Sequence, residues 1–124
     1  MQEITQVLAP LKIPVSHPPY NGKATQYVVY TLINNAYSNW ASGRAFQEET
    51  VYSVDLFSKA NYKALAASIK QLLRAAGYVV TEGPEVYESD TQFYHVTFDV
   101  TGWDLVGAYA PDDPEDEDPE DEDG

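Results

Sequence analysis

Asn61-Tyr-Lys-Ala-Leu-Ala-Ala-Ser-Ile-Lys-Gln-Leu-Leu-Arg-Ala-Ala-Gly77 is the stretch that decides the fold. Leu65, Ile69, Leu72, Leu73 and Ala76 fall at i, i+4, i+7, i+8 and i+11, one apolar stripe of a helix. Asn61 suits the N-cap, Gly77 suits the residue just past the end, and Arg74 favours the negative end of the helix dipole. Lys63, Lys70 and Arg74 lie roughly opposite the stripe, with no acid among them. The spacing therefore predicts a helix over 61–76 that buries one face and shows three cations on the other.

Strand patterns flank this helix on both sides. Residues 24–34 are β-branched and aromatic without Gly or Pro, and both alternating sets are apolar: Tyr27/Val29/Ile33 and Val28/Tyr30/Leu32. That pattern predicts a strand that is central, or covered on both faces. Residues 50–58 form a second strand, with Tyr52, Val54 and Leu56 on one face and Ser53 and Asp55 on a wetter one. After the helix, 78–82 read as a third strand that Gly83-Pro84 break, with an acidic loop to follow. Residues 91–100 form the fourth. Tyr94, Val96, Phe98 and Val100 make its apolar face, and Phe93, His95, Thr97 and Asp99 its mixed face.

The outlying segments are less regular. Ile4, Val7, Leu8 and Leu11 have helical spacing, limited by Pro10, so residues 1–9 predict a short helix that must lean on the body to persist. Five residues, Pro10, Pro14, Pro18, Pro19 and Gly22, predict an extended surface loop over 10–23. Residues 35–49 read as a long hairpin tip carrying Tyr37, Trp40 and Phe46. Aromatic residues on such a tip either fold back onto the core or mark a partner surface. Residues 101–110 either continue the fold or lead out of it. The architecture expected is α+β: a mostly antiparallel four-stranded sheet packed against one main helix, with a short N-terminal helix, all within a single domain over 1–110.

Charge separates body from tail. The 124 residues carry 20 acids and 7 bases, a formal net charge of −13. Ten of those acids fall in 112–123, which contains Pro-Glu-Asp-Glu-Asp twice; the remaining ten acids against seven bases leave the body at −3. Self-repulsion and the lack of apolar side chains predict that 111–124 is a disordered tail serving solubility or contact with a basic partner. The balance argues against sequence-specific nucleic-acid binding, which needs a basic footprint. No run of about 18 apolar residues predicts a membrane span, and Met1-Gln2-Glu3-Ile4 lacks the basic start of a signal peptide.

Chemistry-bearing patterns are sparse. The chain has no cysteine, which removes disulfides and thiolate metal sites. There is no P-loop, G-x-S-x-G or H-E-x-x-H pattern. Only two histidines occur, His17 in the Pro-rich loop and His95 in the fourth strand. His95 and Asp99 share a strand face but stand roughly 13 Å apart by strand rise, too far to hydrogen bond. His95 is therefore expected to pack or hydrogen bond across strands. Glu85, Glu88 and Asp90 are carboxylates without a basic or metal-binding neighbour in sequence. No catalytic residue, cofactor or metal is expected.

Three blocks carry a family resemblance. They are Tyr52-Ser-Val-Asp-Leu-Phe-Ser-Lys59, the helix led by Asn61-Tyr62 and leaving through Arg74-Ala-Ala-Gly-Tyr78, and Tyr87-Glu-Ser-Asp-Thr-Gln-Phe-Tyr-His-Val-Thr-Phe98. With the preceding Tyr30-Thr-Leu-Ile-Asn34, residues 27–100 resemble the small tail-completion, or tail-terminator, proteins of long-tailed phages of Gram-positive bacteria. The acidic tail and the tryptophan-bearing loop fall outside that pattern. The resemblance implies a non-enzymatic α+β virion subunit. It assembles with itself as a ring, usually a hexamer, that caps the tail tube and joins it to the head connector. Its partners would be copies of itself, the major tail protein and head-completion or connector proteins, and its place the head–tail junction of the virion, after assembly in the host cytoplasm.

A ring subunit needs two different complementary patches. Lys63, Lys70 and Arg74 on the helix, and Glu82, Glu85, Glu88 and Asp90 beyond it, are expected to pair between neighbours, alongside the aromatic residues Tyr37, Trp40 and Phe46. The competing reading is an acidic protein-binding inhibitor of phage or bacterial origin, such as a DNA mimic or an anti-defence protein. A mimic spreads its acids over the folded face at phosphate spacing, whereas here half of them sit in the tail.

Overall fold

A computed structural model describes residues 2–41 and 44–105. The elements run α1 (Ile4–Leu8), a single 3-10 turn (Ala9–Leu11), β1 (Val15–Ser16), β2 (Gln26–Ala41), β3 (Arg44–Ser58), α2 (Lys63–Ala75), β4 (Val79–Glu88) and β5 (Phe93–Leu105). The class is α+β, as the sequence predicts. The sheet is five-stranded and mixed, in the order β1-β2-β3-β5-β4, with β1 parallel to β2 and every other pair antiparallel.

The added strand comes from the segment read as a loop. Ile13 and Val15 are apolar residues between prolines, and Val15–Ser16 run beside Val28–Val29 while Val28 donates its N–H to Pro14. A two-residue strand is too short to leave a periodic signature.

Alternation builds the core. Val28 and Tyr30 of β2, Val54 and Leu56 of β3, Val96, Phe98 and Val100 of β5 and Val80 of β4 all point to one face. Ala66, Ile69 and Leu73 of α2 and Ile4, Val7 and Leu8 of α1 close over it. The helix stripe is as predicted, except that Leu65, Leu72 and Ala76 lie at its partly buried margins. The helix itself begins at Lys63, so the N-cap position falls on Tyr62 and not on Asn61. Asn61 Oδ1 accepts the Lys63 N–H at 3.0 Å, and Gly77 adopts φ 99°, the left-handed conformation that ends the helix.

Three further expectations change. First, β2 is not central: only the two residues of β1 lie beyond it. Its second apolar set is instead half-covered at Tyr27 and Val29 and exposed at Ile33. Second, residues 35–49 are not a loop. β2 runs on to Ala41 and β3 starts at Arg44, so Trp40 pairs with Ala45 inside the ladder, and residues 42–43 lie outside the described residues. The polar Asn35 serves the strand there, its side-chain amide donating to Glu48 at 2.8 Å and to Thr50 at 3.0 Å. Third, Gly83-Pro84 bend β4 without ending it. The register slips between Glu82 and Glu85, and pairing with β5 resumes to Glu88. A Cβ at Gly83 would stand 2.8 Å from the Thr97 carbonyl oxygen, so the close approach at this bulge needs glycine. Residues 101–105 continue β5, whereas 106–110 and the acidic tail lie outside the described residues.

Candidate interaction surfaces

The long hairpin determines where apolar surface is left over. β2, β3 and the end of β5 extend past the region of the sheet that the helices cover. Beyond Tyr30 the outer side of β2 has no strand beside it among the described residues. Leu32, Ile33 and Tyr37 are exposed there, and Trp103 is exposed on β5. At the opposite side of the sheet, β4 exposes Val79, Val86 and Tyr87. Among the described residues the exposed large apolar side chains thus gather on β2 and β4, with Trp103 between. On β4 they lie towards both ends of the ladder, Val79 opposite Thr101 and Val86 opposite His95.

The two edges differ in backbone chemistry. Arg74 donates to the Val80 carbonyl at 3.0 Å, Pro84 has no N–H, and the bulge interrupts the β4 ladder. These are features that stop a strand edge from templating another strand. Along β2 the register also slips, between Leu32 and Asn34, but neither proline nor a side-chain bond to the backbone stands at its outer edge beyond that point among the described residues.

The charged residues predicted to pair between neighbours are largely spent within one subunit. Lys70 Nζ meets Glu82 Oε1 at 2.6 Å, and Arg74 holds β4 as described. Glu85 accepts the Tyr62 hydroxyl. That bond to a carboxylate pushes the Tyr62 phenol up to about 12. Glu88 accepts from Thr91 Oγ1 at 3.1 Å and lies 3.5 Å from His95 Nδ1, and Asp90 Oδ1 accepts the Thr91 N–H. Lys63 alone of this group has no side-chain partner among the described residues. The helix and β4 are neighbours in the fold, so the two patches lie side by side and satisfy each other. Tyr37 is exposed on β2; Trp40 and Phe46 are placed in β2 and β3 by backbone pairing alone.

The sheet face away from the helices carries a polar network and an aromatic ladder. Asp55 Oδ1 accepts from Thr97 Oγ1 at 2.6 Å and meets His95 Nε2 at 2.8 Å. The expected cross-strand role of His95 is thus what the register provides, through Asp55↔Thr97 and Phe57↔His95. One imidazole nitrogen faces both Asp55 and Thr97, and the Thr97 hydroxyl is directed at the carboxylate. Glu88 stands on the other imidazole nitrogen, 3.5 Å from Nδ1. A nucleophile gives its proton to the imidazole, whereas the Thr97 hydroxyl donates to Asp55. Beside the network, Tyr20 stacks on Tyr27, Tyr27 on Phe57, and Phe57 on His95, at centroid separations of 4.0, 4.9 and 4.2 Å. Phe93 stands edge-on to Tyr27 and Phe57. Where this ladder meets the Pro-rich segment lies a shallow depression of about 300 Å³, lined by Tyr20, Lys23, Tyr27, Lys59 and Phe93.

Among the described residues no three His, Cys, Asp or Glu side chains are grouped to hold a metal ion, and no helix is long and apolar enough to cross a membrane. The chain matches no protein-family model, and no curated protein matches it.

Apart from Tyr20 on Tyr27, the ladder and the Asp55–His95 pair were hidden from sequence reasoning because they join residues 30 to 40 positions apart. Only alternation of Phe57 and Asp55 on β3, and of His95 and Thr97 on β5, hinted at a shared face.

Proposed function

We propose that this protein is a structural subunit of a phage head–tail junction, a tail-terminator or tail-completion protein that assembles head-to-tail into a ring, as a hexamer, between tail tube and head connector. One observation carries the reading: exposed apolar residues are divided between two different sides of one sheet, Leu32, Ile33 and Tyr37 on β2 and Val79, Val86 and Tyr87 on β4. A head-to-tail ring needs two unlike patches on each subunit, whereas a two-fold dimer needs one self-complementary patch. Because β4 is guarded along its backbone, the contact is formed by side chains rather than by extension of the hydrogen-bonded ladder. The resemblance of residues 27–100 to the tail-terminator family supports the same conclusion, and the protruding hairpin is suited to reach a neighbouring ring.

The inhibitor reading is the weaker one. A DNA mimic presents free carboxylates in an array, but on this body Asp55, Glu82, Glu85 and Glu88 are each held by an internal donor. Light scattering and negative-stain microscopy of the purified full chain test the proposal. A closed ring with the mass of six 13.8 kDa chains is the expected result. A strictly monomeric protein that also fails to form rings on purified tail tubes refutes it.

A further inference from the structure

We propose that the second acidic run of this chain, Pro119-Glu-Asp-Glu-Asp123, docks in the depression lined by Lys23, Lys59, Tyr20, Tyr27 and Phe93 of the same subunit. The depression combines two features that such a segment needs. Lys23 and Lys59 meet no carboxylate among the described residues, and Lys59 Nζ is poised 5.0 Å from the centroid of the Phe93 ring. Lys70 and Arg74, by contrast, are already engaged by Glu82 and by the Val80 carbonyl. The rings of Tyr20, Tyr27 and Phe93 form the kind of aromatic wall on which proline-containing extended chain packs, at little loss of conformational freedom. The tail supplies both complements, prolines at 111, 114 and 119 with carboxylates between them.

Reach favours the second run, all of which can arrive, over the first, of which only the last residue can. Phe93 stands at the depression and Leu105 at the other end of β5, about 40 Å away at the rise of a strand. Extended chain at about 3.1 Å per residue covers about 43 Å in the fourteen steps from Leu105 to Pro119, and self-repulsion favours that extension from Asp112 onward. Pro114 to Glu117 of the first run, nine to twelve steps from Leu105, cover only about 28–37 Å at the same rise. The body carries a net −3, so two lysines in one depression offer attraction where most of the surface repels.

The chain has no cysteine, so Asp121→Cys gives a single attachment point for a nitroxide label in the full-length protein. Amide spectra of the isotope-labelled chain should lose intensity at Lys23, Tyr27, Lys59 and Phe93. The signals should return at an ionic strength of about 0.5 M, where the Debye length is about 4 Å, and in the Lys23→Glu/Lys59→Glu variant. Both lysines are exposed, so the variant's own spectrum reports that its fold persists. Broadening centred on Lys12 or on α2, or absent throughout, overturns the proposal. So does broadening that appears only when spin-labelled, isotope-free chain is mixed with labelled wild type, since that places a second copy's tail at the site.

Discussion

Replacing Leu32, Ile33 and Tyr37 together by serine is the sharpest challenge to the ring. These residues are 52%, 60% and 53% exposed in the single subunit, so about half of each side chain remains to be buried by a neighbour. Full burial of a large apolar side chain contributes about 1.5–3 kcal/mol, so burying the remaining half contributes about 0.8–1.5 kcal/mol. Three such residues total about 2.5–4.5 kcal/mol per contact, which at 1.4 kcal/mol per decade is about a 10²- to 10³-fold weaker association. None of the three belongs to the buried core, so circular dichroism and the melting temperature should barely change. The assay is sedimentation velocity across a concentration series. The wild-type ring should persist to concentrations at which the variant is monomeric, with midpoints at least about a hundredfold apart. Coincident midpoints would show that the β2 side is not a subunit contact, and the ring geometry argued from two unlike sides would fall with it.

Other predictions concern the body and tail. Phe98, fully buried at the centre of the sheet, should cost about 3–5 kcal/mol when replaced by alanine, read from urea unfolding monitored by tryptophan fluorescence. Ser58 is the buried polar side chain of the core; its hydroxyl accepts from Gln26 Nε2 at 3.0 Å and donates to the Ala60 carbonyl at 3.1 Å. Both partners can reach water when released, so Ser58→Ala should cost only about 1–2 kcal/mol in the same assay, and a loss of 4 or more would contradict that account. Tyr62 and Tyr78 are pushed up to about 12, the first by its hydrogen bond to Glu85 and the second by burial. In the folded chain these phenols keep their protons where the unfolded chain loses them, so stability is whole below pH 10 and falls as pH rises towards 12. Tyr62→Phe should make that decline shallower in thermal melts across the alkaline range. Deleting residues 111–124 should lower the melting temperature by less than about 4 °C, under about 1 kcal/mol for a domain of this size.

Local rules explain how much was legible. The α2 stripe is a repeat within sixteen residues, and its burial follows from period and caps whatever it packs against. The inward faces of β3 and β5 were equally readable, because Tyr52/Val54/Leu56 and Val96/Phe98/Val100 alternate with polar residues. Reading failed where composition and geometry part company. The stretch from Asn35 to Glu49 is polar, with small residues, and looked like a hairpin tip. Cross-strand bonds such as Asn35 to Glu48 hold it in a ladder instead, and a ladder's hydrogen bonds are made by backbone whatever the side chains. Gly83-Pro84 looked like a terminus because the pair interrupts a strand locally. Pairing resumes because β5 continues beside it, an influence no window of sequence contains.

By itself the sequence determined the α+β class, the main helix and its buried side, the burial faces of the inner strands and the separation of a near-neutral body from an acidic tail. Each follows from periodicity or composition, which are properties of neighbours along the chain. The tertiary structure alone decided that β5 enters between β3 and β4, that Lys70 finds Glu82 within its own subunit, that Asp55 holds His95, and that leftover apolar surface is divided between β2 and β4. Those outcomes depend on register and strand order, set jointly by residues tens of positions apart, and a one-residue slip in either would send the same side chains to the opposite face.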